Sequence, residues 1–180
     1  MVVSDLVVTA LRTANGTTSG YYLQHPSRRP FGGIFVYSRA RAAAVRVGDR
    51  VRVTGRYQEY FGLSELTEPS ATVEDPAAHF SIEPLDVAPA DIATGGALAE
   101  AYESMLVRVS GVAVTAANPD LPDDYDELAV SGDLRVDDRL LPELDNSYPE
   151  GTGFGSITGI LDFSFGNTKV LPRAIGDLVR

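Results

Sequence analysis

The 180-residue chain has no cysteine and no tryptophan, two histidines and one lysine, Lys169. Without cysteine it forms no disulfide and offers no thiolate to zinc and no thiol nucleophile. His25 and His79 stand apart, with no His-x-x-His spacing. A Gly-x-Ser-x-Gly elbow and a glycine-rich strand-to-helix phosphate cradle are both missing. These absences point to a binding module rather than an enzyme, with no cofactor. No apolar run approaches the roughly 20 residues of a membrane span, so no membrane insertion is expected. The opening Met1-Val-Val-Ser-Asp-Leu-Val-Val lacks the basic start of a secretory signal. It already reads as a strand, which favours a segment of a longer precursor over a cytoplasmic chain. Long helical periodicity is absent too. The helix candidates are short: Ala97 to Glu103, after Gly95-Gly96, and Pro89 to Ala93.

What is present is unevenly distributed. The net charge is −10, which opposes a polyanionic partner on average. Residues 1–56, however, hold nine arginines against Asp5 and Asp49, a net of +7, whereas the remainder holds six basic and twenty-three acidic groups, a net of −17.

An internal repeat organises the chain. Val53-Thr-Gly-Arg-Tyr-Gln-Glu-Tyr-Phe61-Gly-Leu-Ser-Glu-Leu66 lies without a gap over Ile157-Thr-Gly-Ile-Leu-Asp-Phe-Ser-Phe165-Gly-Asn-Thr-Lys-Val170, a shift of 104. Val3-Ser-Asp-Leu-Val-Val-Thr-Ala10 lies over Val109-Ser-Gly-Val-Ala-Val-Thr-Ala116 at a shift of 106. Two matches in the same order at nearly one shift mark a duplication. Each unit reads as short strands. Val2 to Leu11 and Met105 to Val114 are apolar and β-branched; Gly20 to Gln24 and Gly33 to Ser38 form a pair around the loop 25–32. After a Gly48-Asp49 turn, Val51 and Val53 alternate with Arg50 and Arg52. Arg56 to Glu59 and Leu63 to Leu66 flank a hairpin at Phe61-Gly62. Strands of about five residues with frequent turns and no long helical period predict an all-β fold, each unit a barrel or a sandwich with short helices at most. The expected boundaries are barrel 1 over 1–82, a Pro-punctuated linker over 83–97, and barrel 2 over 98–180.

The runs Gly20-Tyr-Tyr-Leu-Gln, Gly33-Ile-Phe-Val-Tyr, Val47-Gly-Asp-Arg-Val-Arg-Val-Thr-Gly and Glu59-Tyr-Phe-Gly-Leu-Ser-Glu-Leu resemble a known family. They are similar to the OB-fold domains that stand beside the catalytic domain in bacterial extracellular nucleases of the endonuclease/exonuclease/phosphatase class. Ala101-Tyr-Glu-Ser-Met-Leu-Val-Arg-Val-Ser-Gly resembles the start of the next such unit. The resemblance covers most of the chain, more closely through residue 70 than over 115–150. It implies an all-β fold of two tandem OB-like five-stranded Greek-key barrels with short helices at most, a nuclease-associated role, a longer parent protein with neighbouring domains, and an extracellular or cell-surface setting. Where that family carries an Asp-rich loop, this chain has His25-Pro-Ser-Arg-Arg-Pro-Phe-Gly, which removes a cation-binding loop from that place.

In the first unit Tyr21, Tyr22, Phe31, Phe35, Tyr37, Tyr57, Tyr60 and Phe61 interleave with arginines. Single-stranded nucleic acid uses both types: arginines follow the phosphates, and exposed rings stack bases at about 1–3 kcal/mol each. The candidate nucleic-acid-binding residues are Arg28, Arg29, Phe35, Tyr37, Arg39, Arg50, Arg52, Arg56 and Tyr60. If Ile34 and Val36 face the core, Phe35 and Tyr37 face outward; the opposite parity remains open. Arg50 and Arg52 point out if Val51 and Val53 point in, and Arg56 shares that parity. The alternative is that the aromatics fill a small core and the arginines only solvate it. In the second unit the loop Asn118 to Glu127 is rich in carboxylates. Asp123, Asp124 and Asp126 are weak calcium candidates by ligand type alone, since their spacing matches no EF-hand and the central glycine is missing, and a solvated acidic loop is the preferred account.

Three functions follow: an accessory module for single-stranded DNA or RNA, a spacer or protein-interaction module, and a carbohydrate-binding module.

Overall fold

The computed structural model describes residues 1–14, 17–38, 45–144 and 147–180. Strands β1 (Val2–Ala14), β2 (Thr17–Gln24), β3 (Gly33–Tyr37), β4 (Arg50–Tyr60) and β5 (Leu63–Val73) close a barrel in the order β1-β2-β3-β5-β4. All neighbours are antiparallel except β3 and β5, which run parallel. After β6 (Leu85–Asp86) and the one-turn α1 (Pro89–Ile92), the pattern recurs. Strands β7 (Leu106–Ala116), β8 (Glu127–Val130), β9 (Leu134–Asp137), β10 (Gly153–Ser164) and β11 (Asn167–Leu171) close the second barrel through the β10–β7 pairing. β6 and β12 (Leu178–Val179) extend its flanks, and β9 and β11 are its parallel pair. The fold is therefore two tandem five-stranded barrels with OB-like strand order, as the sequence predicts. Among the described residues no helix is long and apolar enough to cross a membrane.

The duplication is visible in the pairing itself. Val3 pairs with Val53 in barrel 1 as Val109 pairs with Ile157 in barrel 2, which is the two shifts of 106 and 104 seen at once. Tyr60–Leu63 and Ser164–Asn167 close equivalent two-residue hairpins. The repeated Thr-Gly is explained at Gly159, where an added Cβ would fall 2.5 Å from the Leu171 carbonyl oxygen.

Alternation divides the side chains between two barrel cores and a third apolar layer. Tyr21, Leu23, Ile34, Val36, Val51, Val53 and Leu66 fill barrel 1. Val107, Val109, Leu128, Val136, Ile157 and Val170 are among those filling barrel 2. Tyr22, Phe35, Leu63, Leu106, Ile160 and Leu171 pack between the barrels. Burying each of these large side chains contributes roughly 1.5–3 kcal/mol, which outweighs the freedom of two tethered domains and makes the pair one body.

The segment between the barrels is built into barrel 2. Residues 83–97 are no free connector: Leu85–Asp86 pairs with β7, and Ile92 and Ala93 are buried in the core of barrel 2. The helix expected over Ala97 to Glu103 is only a 3₁₀ turn over Glu100–Tyr102. Its chain leaves the turn at Glu103 and runs directly into the buried Ser104 and Met105.

Candidate nucleic-acid interface

An OB barrel presents the outer face of its second and third strands to ligands. In barrel 1 that face carries Tyr22, Gln24, Phe35 and Tyr37. The β-branched Ile34 and Val36 do face the core, so Phe35 and Tyr37 have the outward parity. Outward is not exposed here. Phe35 retains 1% exposure, tilted against Tyr22 at a ring separation of 4.8 Å and covered by barrel 2. Its ring is unavailable for stacking a base, which corrects its place among the candidates. The sequence shows which face of a strand a residue takes, but a second barrel docked on that face is a long-range event with no local signature.

A polar line runs through the same junction. The Tyr22 hydroxyl donates to Asp162 Oδ1 at 2.9 Å, and Gln24 Oε1 accepts the Leu106 amide at 2.7 Å. Arg139 Nη1 holds Asp162 Oδ2 at 3.0 Å. On the adjoining outer face of barrel 2, Lys169 is buried between Glu127 and Asp137, and Arg135 pairs with Asp120 and Glu127. Burial raises the Asp162 carboxyl above its usual range, opposed by Arg139 and by the Tyr22 bond. This network lies where barrel 2 would present a ligand and leaves its cations paired.

The remaining candidates divide by position. Arg50 stacks over the Phe80 ring at 4.1 Å, and Arg52 pairs with Glu74 at 3.5 Å. Both lie at the start of β4, about 26–33 Å along the strand from Tyr60 at a rise of about 3.3 Å per residue. Tyr37, 38% exposed, ends β3 on the Gly20 pair and belongs to that distant end too. Arg39 lies outside the described residues. Arg28, Arg29, Arg56 and Tyr60 are exposed. The connection order places the loop 25–32 and the β4–β5 turn at one end of barrel 1, and the same short segment holds both. The Phe31 amide donates to the Ala101 carbonyl at 2.6 Å and the Ser64 amide to Glu103 Oε1 at 2.9 Å.

This end has what the junction hides. Phe31 is 75% exposed, Tyr60 56% and Phe61 82%, with Tyr60 and Phe61 edge to face at 4.8 Å. Arg28 hydrogen-bonds the Pro84 carbonyl at 3.3 Å, which directs its loop toward the connector. The two faces of the β4–β5 hairpin differ. Arg56, Gln58 and Tyr60 share one side. Tyr57 and Glu59 share the other, where Tyr57 and Ser64 donate to Glu59. Burial, with nearby Glu100, Glu59 and Asp162, holds Glu103 up to about 7 against the Ser64 bond that lowers it.

Phe31 and Phe61 are exposed rings that strand alternation does not identify, because both sit in turns. Their signal is the Phe-Gly dipeptide: Phe31 and Phe61 adopt φ of 60° and 50°, a left-handed backbone in which a bulky residue is uncommon. The histidines have structural surroundings, His79 lying over Gly48 and His25 Nδ1 bonding Ser27. Asp123, Asp124 and Asp126 are exposed, with Asp124 capping the Asp126 amide at 3.2 Å. Among the described residues no three His, Cys, Asp or Glu side chains gather into a cation site. No protein-family model, curated protein or solved structure matches the chain.

Proposed function

We propose that the chain is an accessory binding module that holds single-stranded DNA or RNA at the end of barrel 1 built from the loop 25–32 and the β4–β5 hairpin. One observation carries this reading: the exposed rings of Phe31, Tyr60 and Phe61 share an end with the exposed Arg28, Arg29 and Arg56. Stacking needs bare π faces and the backbone needs cations, and here both project from anchored turns. The net of +7 over residues 1–56 favours a polyanion on barrel 1 as a whole, with Arg28, Arg29 and Arg56 its share at this end. The resemblance of the strand motifs to OB domains of extracellular nucleases supports a nuclease-type parent and a secreted or surface setting.

The test is fluorescence anisotropy of a labelled oligonucleotide of about 20 nucleotides, at about 20 and 200 mM salt. The comparison is with Arg28→Glu/Arg29→Glu. Three phosphate contacts predict about a hundredfold weakening over that salt range, and the charge reversal is expected to abolish binding at the higher salt. Absence of binding at low salt would remove the proposal. A second reading, a rigid spacer between neighbouring domains, is favoured by the burial of the β2–β3 face against barrel 2; it predicts no binding at either salt.

A further inference from the structure

The hairpin turn of barrel 1 rests on the strand that leads into the hairpin turn of barrel 2. Phe61-Gly62 and Phe165-Gly166 occupy the same place in the duplicated unit. Gly62 rests on the Phe163 ring, where an added Cβ would fall 2.6 Å from Phe163 Cε1. Leu63, which pairs with Tyr60 across the hairpin, belongs to the apolar layer that Phe163 packs against. The side of the β4–β5 hairpin bearing Arg56 and Tyr60 therefore borders the seam that leads to the second turn.

Phe165 repeats the conformation of Phe61. Its φ is 51°, followed by Gly166 at 81°, as Phe61 at 50° is followed by Gly62 at 89°. Two successive positive φ angles describe the hairpin turn that selects Asn-Gly or Asp-Gly. A phenylalanine there opposes the local preference, and at 88% exposure Phe165 gains no core burial in return. Its surroundings also differ from the acidic average of barrel 2. Lys169 Nζ lies 5.5 Å from the ring centroid, and Arg139 Nη2 reaches Ser164 Oγ, beside the turn, at 3.2 Å. Both cations are paired to carboxylates, so the tip offers a stacking surface without a repelling charge of its own.

We propose, resting on the function above, that the nucleic-acid path crosses the seam onto barrel 2, with Phe165 stacking a base beyond the one held at Phe61. The chemistry is base stacking, which tolerates any sequence because every base has a π face. The acidic character of barrel 2 as a whole does not oppose a single stacking contact at a tip whose neighbouring charges are paired.

The test uses the full chain and the variants Phe61→Asn and Phe165→Asn, since asparagine suits the left-handed backbone and preserves both turns. Affinity is measured for oligothymidylates of about 6 and about 16 nucleotides, within the span of single-barrel sites. Phe61→Asn should weaken both. Phe165→Asn should weaken the longer oligonucleotide about five- to a hundredfold, the range of one stacked base, and leave the shorter unchanged. If Phe61→Asn weakens binding and Phe165→Asn affects neither length, the extension is overturned while the barrel 1 site stands. Absence of binding by the unaltered chain overturns both. Binding to phosphatidylserine vesicles that depends on Phe165, with oligonucleotide binding unchanged, would assign the tip to a lipid surface and overturn the extension.

Discussion

Tyr22 on β2 and Asp162 on β10 join the two barrels by one hydrogen bond of 2.9 Å, although 140 residues separate them. Both are buried to zero exposure, and Arg139 takes the other carboxylate oxygen. Neither partner can turn to water, so the bond fixes the position of one barrel on the other in a way that apolar packing alone does not. Burial pushes the Tyr22 phenol well above its ordinary range, and the Asp162 charge adds to that. Replacing Tyr22 by Phe keeps the ring and leaves Asp162 short of a donor. The expected cost is about 1–3 kcal/mol, read from urea denaturation. The unaltered chain should unfold in a single transition at every probe; separate transitions for the two barrels would contradict a coupled junction.

Much of the fold is legible in the sequence because its determinants are local. Val51 and Val53 against Arg50 and Arg52, the Gly48-Asp49 turn and the Phe-Gly hairpins each act within a few residues. The repeat shows that whatever strand order one unit takes the other shares, and the OB-like order itself is what the resemblance implies. The site is less legible. Phe35 and Tyr60 look alike in an alternating strand, yet one is sealed by Leu106 and Ile160 from the other barrel and one is bare. Glu127, Asp137 and Lys169 form a buried network that no local pattern announces, because its members come from three different strands.

The repeated glycine gives a sharper test of the duplication. At Gly159 a Cβ would meet the Leu171 carbonyl at 2.5 Å, whereas at Gly55 the nearest atom, the Thr67 carbonyl oxygen, is 3.0 Å away. Backbone cannot yield as a flexible side chain can. Gly159→Ala is expected to cost about 2–4 kcal/mol and Gly55→Ala clearly less, measured as the difference in denaturation midpoint. Equal effects would show that the strand crossing is no tighter in barrel 2.

Glu103 predicts a pH dependence with a definite sign. Its carboxyl rises from the ordinary 4.5 to about 7 in the folded state. Between those values the folded chain binds a proton that the unfolded chain has lost, so this contribution to stability is complete below about pH 4.5 and disappears as pH rises through 7. After allowance for solvent screening, the loss is on the order of 1–2 kcal/mol. Glu103→Gln should flatten that part of the profile while retaining an acceptor for the Ser64 amide. Denaturation midpoints at intervals from about pH 5 to 8 decide it; a variant with the slope of the unaltered chain would place the titration elsewhere.

Lys169 separates a structural network from a solvated surface. Its ammonium is 1% exposed and bonds Glu127 and Asp137. Lys169→Met fills similar space but leaves two buried carboxylates with only Arg135 and Arg139 nearby. Breaking such a pair costs about 3–5 kcal/mol, and the remaining arginines should hold the loss near the lower figure. Lys169→Gln, which keeps a donor for one carboxylate, should recover part of that loss in urea denaturation. Equal losses for Met and Gln would mean that packing around the stem of Lys169, rather than its charge, dominates.

Phe61 sets stability against binding at one residue. A left-handed backbone costs an L-residue roughly 1–2 kcal/mol, and asparagine is among the side chains that relieve it. The ring is 82% exposed, so its removal sacrifices little burial. Phe61→Asn should therefore raise the stability of the chain, by about 0.5–1 kcal/mol after the lost edge contact with Tyr60, while weakening oligonucleotide binding. A conservative change to Tyr should keep the strain and retain stacking. Thermal melts and anisotropy on the same three proteins separate the two quantities. If asparagine destabilises the chain, the phenylalanine serves folding, and the positive φ of Phe61 loses its value as a sign of function.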